Sequence, residues 1–76
     1  MKELVEFIAK SLVDDPEAVS VVECPRDRGT VLELRVAPED MGKVIGRQGR
    51  IAKAIRAVVK AGGTRQGKNY FVEIVD

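Results

Sequence analysis

Leu4, Val5, Ile8, Leu12 and Val13 recur at helical spacing with charged residues between them, which predicts an amphipathic helix. Asp15-Pro16 closes it, because the residue before a proline is pushed out of helical geometry. The valine-rich stretch 19–24 reads as a strand. Pro25-Arg26-Asp27-Arg28-Gly29 carries turn chemistry. The stretch 30–37 then alternates, with Leu32, Leu34 and Val36 on one face and Glu33 and Arg35 on the other, so the two runs predict a hairpin. Pro38 stands where a helix begins, with Glu39 and Asp40 in its first turn, and Met41, Val44 and Ile45 give that short helix one apolar side. Gly46 and Gly49 interrupt it. A longer helix is predicted over 50–61, where Ile51, Ala52, Ile55, Val58 and Val59 are apolar, and Gly62-Gly63 is its predicted stop. A last strand covers 69–75, with Tyr70, Val72 and Ile74 on one side. The order is α-β-β-α-α-β, an α+β arrangement.

Length changes this picture little: 76 residues allow one domain, expected over 1–76, with a thin core. Chains this small draw extra stability from disulfides, a metal or a partner subunit. Cys24 is the only cysteine and there is no histidine, so an intrachain disulfide is excluded and a metal would find only carboxylates. A second subunit is the remaining route, and a homodimer is expected. No apolar run approaches the roughly 20 residues that span a bilayer, and Met1-Lys2-Glu3-Leu4 lacks the layout of a signal peptide. With a lone thiol suited to a reducing compartment, the expectation is a cytoplasmic protein of bacterial type with no membrane partner.

Charge changes it more. The net charge is only +1, yet residues 43–68 hold eight bases and no acid: Lys43, Arg47, Arg50, Lys53, Arg56, Lys60, Arg65 and Lys68. Residues 1–23 hold six acids and two bases. Such segregation is the electrostatic footprint of a protein that meets a polyanion.

Gly46-Arg47-Gln48-Gly49 joins the two predicted helices with almost no connecting chain. Taken alone it is a helix corner, Gly46 ending one helix and Gly49 starting the next. The corner also opens the N-terminus of the longer helix, whose first amides have no partner within the helix and carry its partial positive charge. A phosphate fits there.

Val44-Ile45-Gly46-Arg47-Gln48-Gly49-Arg50, with apolar residues resuming at Ile51, Ala52 and Ile55, resembles the core signature of the KH domain. The element order is similar to the type II form, and the likeness runs over the whole chain. It is nearest to the small stand-alone bacterial KH proteins of the KhpA family. The resemblance implies a three-stranded sheet with helices packed on one face, and single-stranded RNA as ligand, about four nucleotides of it clamped at the glycine loop. It also implies the groove: Gly46, Arg47, Gln48 and Gly49 on phosphates, Val44, Ile45 and Ala52 as an aliphatic floor, and Lys43, Arg50 and Lys53 as charge at the edges. Many KH domains have isoleucine where Ala52 stands, so this floor is shallower. The role implied is RNA chaperone or post-transcriptional regulator. Alternatives are a ribosome- or rRNA-associated KH factor and a protein-interaction adaptor with a vestigial groove.

Other features carry less. Gly62-Gly63-Thr64-Arg65-Gln66-Gly67-Lys68 begins like a nucleotide-binding phosphate loop, but Asn69 replaces the required Ser or Thr, and the segment leaves a helix for a strand, the reverse of that motif. Cys24 has no histidine to activate it. No catalytic residues, cofactor or small-molecule substrate are expected. The second long helix has two apolar lines, one of which must face the sheet. The other makes Ile51, Ala54 and Val58 candidates for an interface, with a second copy or, as the resemblance implies, a larger RNA-binding protein of the KhpB (Jag) type.

Overall fold

The computed structural model describes residues 1–75; Asp76, the last residue of the expected domain, lies outside them. The first helix, α1, runs Lys2–Leu12 and buries Val5 and Ala9. It ends four residues before the proline: Val13 is already extended, and Pro16–Ala18 form a single 3-10 turn instead. The strands are β1, Ser20–Arg26, β2, Gly29–Arg35, and β3, Tyr70–Val75. Between β2 and β3 lie the short α2, Met41–Ile45, and the long α3, Arg50–Arg65.

The hairpin is tighter than its turn residues suggest. Pro25 and Arg26 pair with Thr30 and Gly29, leaving Asp27-Arg28 as the turn. Pro25 is tolerated because β1 is an edge strand in the order β1-β2-β3. β1 and β2 are antiparallel, whereas β2 and β3 are parallel, with Leu32 beside Val72 and Leu34 beside Ile74. Parallel neighbours need a crossover connection, and α2 and α3 supply it.

One face of the sheet carries the core. Val21, Leu32, Leu34 and Val72 meet Val5 and Ala9 of α1, Val44 of α2, and Ile55 and Val59 of α3. The alternations read for 30–37 and 69–75 hold. Leu32, Leu34 and Val36 are buried, and Tyr70, Val72 and Ile74 all join or pack against the core.

The end of α3 differs from the sequence reading. The helix passes through Gly62-Gly63 and stops four residues beyond Ala61. Gly67, at φ +69°, takes the left-handed position after the cap. The Lys68 amide then donates to the Gly63 carbonyl at 2.8 Å and the Gly67 amide to Thr64 at 3.1 Å, the paired closure expected after a left-handed residue. Gly63 is there for space: a Cβ would stand 2.7 Å from the Lys68 carbonyl oxygen and 3.0 Å from the Tyr70 ring.

Candidate nucleic-acid interface

The glycine loop is a run of unusual backbone. Gly46 closes α2 at φ 76°, ψ 172°, while Gln48 (φ 58°) and Gly49 (φ 73°) are both left-handed. Gln48 is the only non-glycine residue with positive φ among those described. A residue with a Cβ spends about 1–2 kcal/mol to sit there, and such strain concentrates at functional sites. Gly46 is required twice over. Its φ suits glycine, and a Cβ would lie 2.5 Å from Cγ1 of Ile51. Gly49 faces open space, so its role is conformational.

The conformation leaves Arg47 and Gln48 exposed and the start of α3 bare. Gly49 is the N-cap, no side chain caps the first turn, and no acid stands in it. Arg50 reaches back to Gln48, its guanidinium donating to Oε1 at 3.3 Å. Three features thus converge: the N-terminus of a 16-residue helix with no side-chain cap, two glycines without side chains, and the exposed cations Arg47, Arg50 and Lys53. They suit a backbone phosphate.

The remaining predicted groove residues are placed unevenly. Ile45 is 36% exposed beside the loop, and Ala52 is buried at 4%. Val44 is fully buried in the core, so it supports the loop from beneath instead of presenting a surface. Lys43 is also placed otherwise than its charge suggests. Its ammonium lies 2.8 Å from Asp14 and 3.1 Å from Asp40. Asp40 is almost wholly buried and accepts the Asp15 amide at 3.1 Å through its other oxygen. Burial pushes the Asp40 carboxyl up, but the Lys43 ammonium and the Asp15 and Asp14 amides outweigh it and hold the group below its ordinary value. Asp14 and then Asp40 raise Lys43 correspondingly. Lys43 therefore ties α2 to the end of α1, which fixes the loop's base.

α3 presents three stripes. Ala52, Ile55, Val59 and Gly63 are buried. Lys53, Arg56 and Lys60 form an exposed basic stripe on one flank, at the i, i+3, i+7 spacing of a single helix face. Ile51, Ala54 and Val58 lie on the opposite flank. There, with Ile8 and Leu12 of α1 and Ile55, they line an apolar groove of about 280 Å3. Of the two apolar lines in the sequence, Ala52–Ile55–Val59 is buried, while Ile51–Ile55–Val58 is split, Ile55 buried and Ile51 and Val58 bordering the groove with Ala54, the third candidate interface residue. Sequence reasoning missed the role of Arg56. It donates from Nε to the Val72 carbonyl of β3 at 3.2 Å, a pairing visible only once β3 is placed beside α3. Among the described residues there is no cluster of possible metal ligands, and no helix is long and apolar enough to cross a membrane.

Comparison with known proteins identifies the family. The family model described as "KhpA/KhpB, KH domain" matches residues 2–74. RNA-binding protein KhpA of Clostridium perfringens is 64% identical over 75 residues, covering 99% of this chain and all of that protein. RNA-binding protein KhpA of Caldanaerobacter subterraneus is 57% identical over the same shares. That of Aquifex aeolicus is 46% identical over 76 residues, all of this chain and 96% of its own. No solved structure gives a match. With a whole-chain family match and relatives of equal length, this chain belongs to the KhpA/KhpB family of KH domains.

Proposed function

We propose that this protein binds single-stranded RNA, holding the backbone of about four nucleotides at Gly46-Arg47-Gln48-Gly49, and acts as an RNA chaperone or post-transcriptional regulator in the cytoplasm. The observation that carries the reading is the loop. Left-handed backbone at Gln48 and Gly49 leaves the first turn of α3 without a side-chain cap, and no acid stands in that turn. Arg47, Gln48 and the start of α3 take phosphates; Ile45 gives the bases an aliphatic surface, with Ala52 buried beneath it; Arg50 and Lys53 add charge. Lys43 and Val44 act from behind as supports. The relatives are RNA-binding proteins by name, and an intact strained loop argues against a vestigial groove. An rRNA target would use the same chemistry.

The test is binding of short single-stranded RNA by the double variant Arg47→Asp, Gln48→Asp at two salt concentrations. Affinity falls at least about ten-fold, and the salt slope shrinks by about 0.7 for each phosphate that the variant no longer neutralises. An unchanged affinity and slope would refute the loop as the binding site.

The apolar groove between α1 and α3 supports a second reading alongside the first. Val58 is 47% exposed and Leu12 37%, and no charge but Arg50 lines the groove. A second copy of this chain seated there makes a homodimer; a KhpB-type RNA-binding protein is the alternative occupant.

A further inference from the structure

The helices cover one face of the sheet only. Leu32, Leu34 and Val72 meet α1, α2 and α3 in the core, so the alternate residues of each strand make up the opposite face. The register builds that face in rows. Cys24, Val31 and Phe71 form one, and Val22, Glu33 and Glu73 form the next. Val22 and Phe71 are each 49% exposed, and Cys24 and Val31 are half-buried.

Two observations mark this face as a docking surface. The first is topology. β2 and β3 are parallel, and sheets of parallel strands are ordinarily covered by helices on both sides. Here the chain's own helices cover one side and leave the other open. The second is charge. Glu33 and Glu73 are direct register partners, on strands about 4.8 Å apart. Like charges set across two strands cost stability. Neither carboxylate has an ion-pair or hydrogen-bond partner among the described residues. A cation laid over the two removes that repulsion, and Val22 and Val31 stand beside the position to hold an apolar neighbour.

Size and charge select the occupant. Two strand spacings make the face about 10 Å wide, and four residues of strand run about 13 Å. That patch is far smaller than the roughly 800 Å2 that each partner of a stable dimer buries, so it is no dimer interface for a second copy of this chain. One helix, about 10 Å in diameter, spans its width. The acidic centre repels a phosphate backbone, so RNA is not the occupant either. We propose that the outer face of the sheet docks a single helix of a partner protein, with an apolar stripe over Val22 and Val31 and a lysine or arginine over Glu33 and Glu73. The chain is then an adaptor, whose sheet holds a protein on the side away from the α1–α3 groove. The proposal stands apart from the RNA-binding reading, since the face contains no residue of the glycine loop. Phe71 also borders the cleft beside Arg56 and Lys60, so the tests leave it unchanged.

The probe is a synthetic helical peptide of about four turns, with leucines along one face and lysines beside them. One control replaces every lysine with glutamate, and another scrambles the order. Amide NMR spectra of the full chain locate the binding. The lysine peptide shifts the signals of Val22, Val31, Glu33 and Glu73, and both controls bind at least about ten-fold more weakly. The double variant Glu33→Lys, Glu73→Lys reverses the preference and takes the glutamate peptide. Val22→Asp loses the lysine peptide, while its circular dichroism and its affinity for a four-nucleotide RNA match wild type. Three results overturn the proposal: equal binding of all three peptides, shifts confined to the α1–α3 groove, and a lysine peptide held unchanged by Glu33→Lys, Glu73→Lys. A halved mass of Val22→Asp in sedimentation also overturns it, because the face is then a contact between copies. RNA that shifts the same signals does so too. In cells, p-benzoylphenylalanine at position 22 crosslinks to a partner peptide whose sequence carries the apolar stripe and the base, and crosslinks to RNA or to this chain alone refute the docking. Failure of the RNA reading looks different: the variant Arg47→Asp, Gln48→Asp then binds RNA as wild type does, whatever the peptides do.

Discussion

Individual residues carry the site's two energetic commitments, strain at the loop and charge pairing behind it. Gly46→Ala places a Cβ in left-handed backbone against Ile51, and costs about 2 kcal/mol or more of stability from the two effects together. Chemical denaturation reads the loss, and RNA affinity falls with it because the loop must move. Gln48→Asn goes the other way. Asparagine tolerates left-handed backbone better, so the variant gains up to about 1 kcal/mol and raises the melting temperature. At Asp40 the sign follows from its lowered pKa. A carboxyl held below its ordinary value contributes stability that is present above the unfolded-state pKa and lost as pH falls through the folded one. The contribution therefore disappears below about pH 4. Asp40→Asn removes that part of the acid limb: thermal melts from pH 6 down to pH 3 show a shallower decline than wild type, from a lower starting point. An identical decline would mean that Asp40 does not anchor the α1–α2 junction.

At the scale of elements, local pattern is informative wherever one face of an element meets the core. Period-two alternation in 30–37 and 69–75 marks the buried residues of β2 and β3 correctly, because a strand buried on one face needs that alternation. The glycine loop and the order of helices and strands are legible for similar reasons. What escapes is decided by packing between distant segments. Gly62-Gly63 looks like a stop because glycine often ends helices. Here Gly63 makes room for the Lys68 carbonyl and Tyr70, and Gly67 ends the helix. Gly67→Ala therefore costs about 1 kcal/mol, from left-handed backbone alone, and Gly63→Ala more, from a clash with the chain leading into β3. Lys43 looks like one more groove cation because Asp14 is 29 residues away in sequence. No local signal separates it from Lys53. Val44 reads as groove floor in the motif but is needed by the core, since a domain of this size has few positions to spare for either task.

For the whole molecule, α3 keeps two surfaces apart. Its basic flank faces one way, while Ile51, Ala54 and Val58 open the other way, into the groove shared with α1, and Arg50 beside the glycine loop stands at that groove's edge. Val58 and Lys60 are two residues apart, so they point about 160° from each other around the helix axis. If two copies pair through the apolar groove, the basic flank of α3 stays uncovered, and the pair then presents two separate copies of the proposed RNA surface. Val58→Asp tests the arrangement, because it puts a charge into the apolar groove without touching the other flank. In sedimentation, the wild type at micromolar concentration has the mass of two chains and the variant that of one. The wild type's melting temperature rises with protein concentration, as mass action requires of a dimer, and the variant's does not. Affinity for a four-nucleotide RNA stays within about two-fold, since a single short strand occupies one subunit. RNAs long enough to reach both subunits lose more, because the second subunit of a dimer engages the strand at high effective concentration. A variant with unchanged mass would remove Val58 from any dimer interface. A monomeric variant that also loses the four-nucleotide RNA would show that the two flanks of α3 are coupled, and that the glycine loop needs the second subunit to hold its shape.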